Sequence, residues 1–327
     1  MTDKAKPFLS EHNPLGMQIN EGESFSYKYF LPQYWLGWII ILISFFLTYL
    51  PKTFRNSIGT LVGFIIHKTN KKRQKIVEKN LSLCFKEKKQ SEIKKITQEY
   101  FKHLGQSYLN IPVLWWKNND NLQEICSVEN VHYIQDELSK KRAVILFTAH
   151  TVTLDFGGRS ISSFPIISMY KPFRNGLLNW FIGKSRSKAT DNVVVFPREK
   201  YIFKNIIKAL KKPIVFYYLA DEDLGAKDSV FVPFFDEQKA TLTSIARLSS
   251  MTNAAVIPCI NHYNLKKNKY ETYIDKPLEN FPSGDEKVDA RQVNDRLEQL
   301  ISRDLNQYMW SLRLFQTRPK GLKYPYE

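Results

Sequence analysis

"KRAVILFTAHTVTLDFGG", residues 141–158, begins as a short apolar run of branched residues and then brings a histidine and an aspartate five positions apart. Such a run, entered through charged residues, predicts a buried strand over 141–149. The strand delivers His150 to its end, and a helix starts soon after. On a regular helix an offset of five is a rotation of about 500°, so His150 and Asp155 would share no face. They converge if His150 lies just before the helix and Asp155 in its first turns. Asp155 then holds one imidazole nitrogen and leaves the other as a general base. The sequence has no obvious G-x-S-x-G nucleophile. A base without a protein nucleophile suits direct attack by a substrate hydroxyl on an activated acyl group. Taken alone, the pattern fits equally a satisfied core histidine followed by an unrelated helix-cap aspartate.

Further elements follow on both sides. Residues 164–170, 191–196, 213–220 and 254–263 predict strands, and the alternating stretch 269–275 predicts one nearer an edge. Helices are predicted over 92–116, 201–212, 241–253 and 289–310. Residues 221–242 read as a long functional loop. Strands alternating with helices give an α/β fold, a mixed central sheet flanked by helices.

The 327 residues carry a formal net charge of +16, which calls for an anionic partner: nucleic acid, anionic lipid or an acidic protein. Aromatic content of 14% leans toward a lipid context. Cys84, Cys126 and Cys259 form no CxxC, so neither a disulfide framework nor a zinc signature is present, and a reducing compartment is expected. Residues 34–50, "YWLGWIIILISFFLTYL", are uncharged and bracketed by Pro32 and Pro51. They predict an N-terminal membrane-anchoring helix at the short end of the ~20 residues a spanning helix needs. Spanning and lying in the interface both remain open on length alone. Lys52, Arg55 and the basic stretch 67–75 follow it, which places the bulk of the chain on the cytoplasmic side. Residues 58–66 read as a second membrane-touching helix. The expected organisation is a tail over 1–33, an anchor over 34–51 and a cytoplasmic-facing domain over 52–327.

Several motifs together are more specific than the histidine alone. "KNLSLCF" (79–85), "HTVTLD" (150–155), "YKPFRNGLLNWF" (170–181), "ADEDLGAKDSVFVPFF" (220–235) and the terminal "QYMW" and "TRP" resemble the late acyltransferases of lipid A biosynthesis, within the wider lysophospholipid acyltransferase superfamily. The resemblance runs from about residue 34 to the C-terminus. It implies O-acyl transfer from acyl carrier protein to a hydroxyacyl chain of the Kdo-bearing lipid A precursor, at a bacterial inner membrane. His150 would be the base and Asp155 its orienting acid. Arg186 falls where the family has a substrate-binding arginine. Arg198 joins it as a candidate for phosphate or Kdo carboxylate, because a guanidinium fork suits such groups. Asp221 and Asp223 are expected to orient substrate or structure. Backbone N–H groups of 151–153 are candidates for holding an oxyanion.

No metal or bound cofactor is implied, and the anionic partners become the acceptor glycolipid, the membrane and the carrier protein in place of nucleic acid. The chain departs from the family pattern at Lys171, Glu222, Leu312, Leu314 and Gln316, which bears on acceptor and donor contacts. Rival readings are a lysophospholipid or other glycolipid acceptor, a membrane-bound hydrolase, and a non-catalytic basic protein of the membrane surface.

Overall fold

In the computed structural model, the buried part of the run at 141–149, residues 143–149, lies in the middle of a sheet. The structure describes residues 6–10, 12–18, 22–117, 122, 124–188, 192–198 and 202–327. In chain order the strands are β1 (Phe8–Leu9), β2 (Cys126–Glu129), β3 (Val144–Thr148), β4 (Ile166–Tyr170), β5 (Val193–Pro197), β6 (Val215–Leu219), β7 (Ser229–Phe234), β8 (Glu237–Leu242), β9 (Ala255–Asn264) and β10 (Lys269–Ile274). Among the described residues, eight of these form one sheet in the order β1-β5-β4-β6-β3-β9-β10-β2. The pairs from β5 across to β9 are parallel, β1 and β10 run antiparallel to their neighbours β5 and β9, and β2 is parallel to β10. The sheet is therefore mixed, as expected.

Every residue of β3 is buried. A parallel strand covered on both faces favours apolar residues throughout, which is why residues 144–147 are a continuous apolar run, with only the terminal Thr148 polar. Successive side chains nonetheless point to opposite faces. Ile145 and Phe147 join one core with Phe216, Val256 and Ile167. Val144 and Leu146 join another with Val215, Ile257 and Ile166.

The helices are α1 (Trp35–Leu47), α2 (Lys52–Thr69), α3 (Lys71–Cys84), α4 (Gln90–Asn110), α5 (Pro112–Trp116), α6 (His132–Ser139), α7 (Leu154–Ser160), α8 (Gly176–Lys188), α9 (Ile202–Ala209), α10 (Ser244–Thr252) and α11 (Glu286–Ile301). The first core is closed by side chains of α3, α4, α9, α10 and α11 and by Tyr308, Trp310 and Phe315 of the C-terminal segment. The long amphipathic stretch at 92–116 is two helices, because Pro112 has no N–H to continue α4 and instead starts α5. At the start of α4, the Glu92 carboxylate accepts the Lys89 N–H at 3.0 Å.

Four expectations are corrected. The apolar stretch at 34–51 forms a helix of only 13 residues, roughly 20 Å long against a hydrocarbon core of about 30 Å. No helix among the described residues is long and apolar enough to cross a membrane. The helix stops because the chain turns at Pro51 into α2, and buried Arg55 of α2 donates to the Leu50 carbonyl at 2.7 Å, closing that turn. Second, the 221–242 connection is largely the β7–β8 hairpin. Third, the predicted helix over 241–253 starts only at Ser244, since Thr241 belongs to β8. Fourth, the closing helix ends at Ile301. Asp304 then caps a short turn at Leu305–Gln307, and the chain bends so that Tyr308 and Trp310 enter the core. Residues 1–5, 11 and 19–21 of the tail, and Asp191 and Tyr201 at the starts of one predicted strand and one predicted helix, lie outside the described residues.

Candidate active site

The parallel pairing of β3 with β6 sets Thr148 opposite Leu219. Two residues farther along each chain come His150 and Asp221, so the carboxyl ends of neighbouring strands bring them together. His150 Nδ1 lies 2.7 Å from Asp221 Oδ1, and the His150 backbone N–H donates to Asp221 Oδ2 at 2.9 Å. Asp221 is completely buried. Arg198 follows β5 and donates its N–H to the carbonyl of Tyr170, the last residue of β4, at 2.8 Å. Ligand sites of open α/β sheets lie outside these strand ends.

Asp155 does not hold His150. It sits in the first turn of α7 and accepts from Arg186 of α8, Nε at 3.0 Å and Nη2 at 2.7 Å. Arg198 pairs with Glu222 at 2.6 Å, and Glu222 in turn stands 4.0 Å from His150 Nε2. Both arginines expected to meet substrate anions are thus answered by carboxylates of this chain. Asp223 is also committed internally. Its carboxylate accepts from Thr317 N and Thr317 Oγ1, each at 2.7 Å, and from Gly225 N at 3.1 Å. That ties the C-terminal segment to the loop after β6. Of the backbone groups expected to hold an oxyanion, Val152 N–H donates to Gln307 O at 2.9 Å.

Burial works against a charged imidazole at His150, but Asp221 outweighs it, with Glu222 adding and Arg198 opposing, so the pKa stands above the ordinary 6.5. Burial likewise works against the Asp221 carboxylate, and His150, its N–H and then Lys239 hold that pKa below the ordinary value. Lys239 was not singled out from the sequence. It sits in the short alternating strand β8, completely buried, with no hydrogen-bond partner for Nζ among the described residues, and burial pushes its pKa down against the pull of Asp221 and Asp223.

A cleft opens beside the pair. Ile166, Val193, Val195, Tyr217 and Leu219 line its sheet side, while Leu154, Gly158, Arg159 and Arg186 line it from α7 and α8. Ile166, Val193, Val195 and Tyr217 share the second core face of the sheet, so the cleft continues an apolar layer. His150, Glu222 and Arg198 stand in its lining. The arrangement is an apolar trough with a histidine–carboxylate pair and ionic groups in its wall.

A mixed sheet, parallel at its centre and covered on both faces, with such a trough at its strand ends, has the form of an α/β enzyme. Residues 23–317 match the family model described as bacterial lipid A biosynthesis acyltransferase, and the chain belongs to that family and is an acyltransferase. It is 31% identical over 297 residues to the Lipid A biosynthesis lauroyltransferase of Escherichia coli (strain K12), covering 90% of this chain and 96% of that one. It is 29% identical to the palmitoleoyltransferase of the same strain, covering 91% and 96%, and 26% identical to its myristoyltransferase, covering 90% and 91%.

Proposed function

We propose that this acyltransferase moves a fatty acyl chain from the thioester of acyl carrier protein to a hydroxyl on an acyl chain of the Kdo-bearing lipid A precursor, with His150 as base and Asp221 as its orienting acid. The observation that carries the mechanism is the His150–Asp221 pair in the wall of the apolar trough. The family and the relatives support the acyl transfer and the lipid A acceptor. Asp221 accepts the Nδ1 proton, so Nε2 is the free acceptor. Nε2 takes the proton of the substrate hydroxyl as its oxygen attacks the thioester carbonyl. The tetrahedral intermediate collapses, the carbon–sulfur bond breaks, and the imidazolium returns the proton to the leaving thiolate. Because a thioester is already activated, positioning and a base suffice for much of the barrier. The +16 charge suits a phosphorylated acceptor and an acidic carrier.

The same reading includes docking on a membrane surface. Trp35, Leu36, Ile39, Leu42, Ile43 and Phe46 of α1, with Leu61 and Phe64 of α2, are each more than half exposed. A short apolar helix with this much bare surface lies in the interface and does not span the bilayer.

The test is acyl transfer by the purified full chain on vesicles carrying the Kdo-bearing tetraacyl precursor or its penta-acyl product, with carrier-bound donors of several lengths. Mass spectrometry is expected to show a gain of one acyl chain, absent in His150→Ala. No gain with any donor, in folded protein, overturns the assignment. The Ile39→Glu/Ile43→Glu double variant is expected to lose co-sedimentation with vesicles; sedimentation equal to wild type refutes the docking face.

The base also fixes a pH dependence. Only neutral imidazole accepts the proton, and the raised pKa of His150 means that this form predominates only above that pKa. The acid limb of kcat/KM is therefore expected to rise with pH and to be centred above 6.5. A limb centred at or below 6.5 contradicts the coupling to Asp221.

A further inference from the structure

Three arginines line the trough, and two of them have a carboxylate of this chain. The third, Arg159, has none among the described residues. It lies on α7 one turn beyond Asp155 and is only 8% exposed. Its Nη2 makes one long bond of 3.4 Å to the Lys117 carbonyl, and among the described residues its buried Nε has no hydrogen-bond partner. Lys171, another cation of the lining, is exposed and solvated by water, so it does not share this predicament.

A guanidinium stays protonated at neutral pH even when burial lowers its pKa, here to about 10. Among the described residues, the favourable electrostatic neighbour of Arg159 is Cys126. Burial raises that thiol to about 11, so it is neutral at pH 7 and supplies no countercharge. A buried charge without a partner is costly, and the cost is relieved when an anion enters. The fork of a guanidinium matches the paired oxygens of a phosphate.

We propose that Arg159 is the receptor for a phosphate monoester of the acceptor, which it holds at the wall of the trough that also carries His150. This rests on the acyl-transfer reading above and adds the group by which the acceptor is gripped. Arg186 and Arg198, neutralised by Asp155 and Glu222, then shape the trough, and Arg159 supplies the uncompensated positive charge.

The test uses the full chain, with inorganic phosphate as the first probe. Wild type is expected to bind phosphate by calorimetry, and Arg159→Met to lose about tenfold to a hundredfold of that affinity. Lys212→Met, at an exposed lysine outside the trough, is expected to bind as wild type does. In the transfer assay Arg159→Met raises KM for the phosphorylated acceptor by a similar factor, and this penalty collapses on the enzymatically dephosphorylated acceptor. Arg159→Lys, which keeps the charge without the fork, lies between the two, and it carries the test if the methionine variant melts early. An equal penalty on both acceptors, or a rise in KM for the carrier-bound donor in its place, overturns the proposal, the latter assigning Arg159 to the donor's phosphodiester. Wild type that transfers no acyl chain fails the functional reading. Wild type that transfers equally well to both acceptors fails the Arg159 reading alone.

Discussion

Asp221→Asn is expected to lower kcat by about a thousandfold to ten-thousandfold, the scale of the same change in a Ser–His–Asp triad. Asp221 meets two donors of one residue, the His150 ring at Nδ1 and the His150 backbone N–H. An asparagine offers one acceptor oxygen and one NH2 to those positions. Whichever way it turns, one donor faces another donor, or the imidazole shifts its proton to Nε2 and can no longer accept from substrate. The buried site also loses the charge that holds the His150 pKa up.

Asp155→Asn is the informative companion. Its Oδ1 takes both bonds from Arg186, and an asparagine oxygen can still accept them. Asp155 and Arg186 side chains are 29% and 32% exposed, so water screens the lost charge. A reduction within about tenfold is expected, near the net strength of charge-assisted bonds. Single-turnover rates of the two variants decide the matter: a severe Asp155→Asn defect beside a mild Asp221→Asn defect would return the orienting role to Asp155.

The second large effect is expected far from the chemistry. Gly105→Ala places a Cβ 2.1 Å from the Gly59 carbonyl oxygen and 2.4 Å from Gly63 N. Both obstacles are backbone of α2, so no side-chain rotation relieves the clash, and α2 and α4 must separate. Overpacking costs about 1–3 kcal/mol and sometimes more. With backbone on both sides the upper end applies, and a fall in Tm of several degrees is expected at about 2–4 °C per kcal/mol.

The strain does not stay local. Tyr100, Phe101 and Leu104 of α4 pack in the first core, and Ser107 donates to the carbonyl of Val152, two residues after His150. Acyl transfer is therefore expected to fall with stability. Gly158→Ala is the control of opposite sign. It also sits within a helix, but its Cβ would meet nothing nearer than Tyr217 at 3.5 Å, an ordinary contact. Alanine favours a helix over glycine by about 1 kcal/mol, so its Tm is expected to hold or rise. Calorimetric melting of both variants reads the comparison, and equal melting would mean that the two helices part without cost.

What the sequence determined by itself was local. The run at 141–149 is legible as a strand because burial on both faces favours a continuous apolar run, and β3 occupies Val144–Thr148 within it, the charged Lys141 and Arg142 remaining outside the strand. The family was legible because its motifs are short and contiguous, and His150 could be picked out because it ends such a run. The partner of His150 could not be. Asp221 is 71 residues away, and the two meet only because β3 and β6 pair in parallel with Thr148 opposite Leu219. Asp155 was close in sequence and of the right chemistry, but the helix that carries it turns it toward Arg186. The apolar stretch at 34–51 announced a helix with exposed apolar side chains, while its length was decided by Arg55 folding back onto the Leu50 carbonyl. Which buried cation lacks an acid was equally hidden, since an arginine's countercharge is a matter of neighbours in space. Side-chain periodicity follows from the geometry of one element, so it is written along the chain. Register, ion pairing and close helix contact follow from which elements pack together, and only the folded whole sets that.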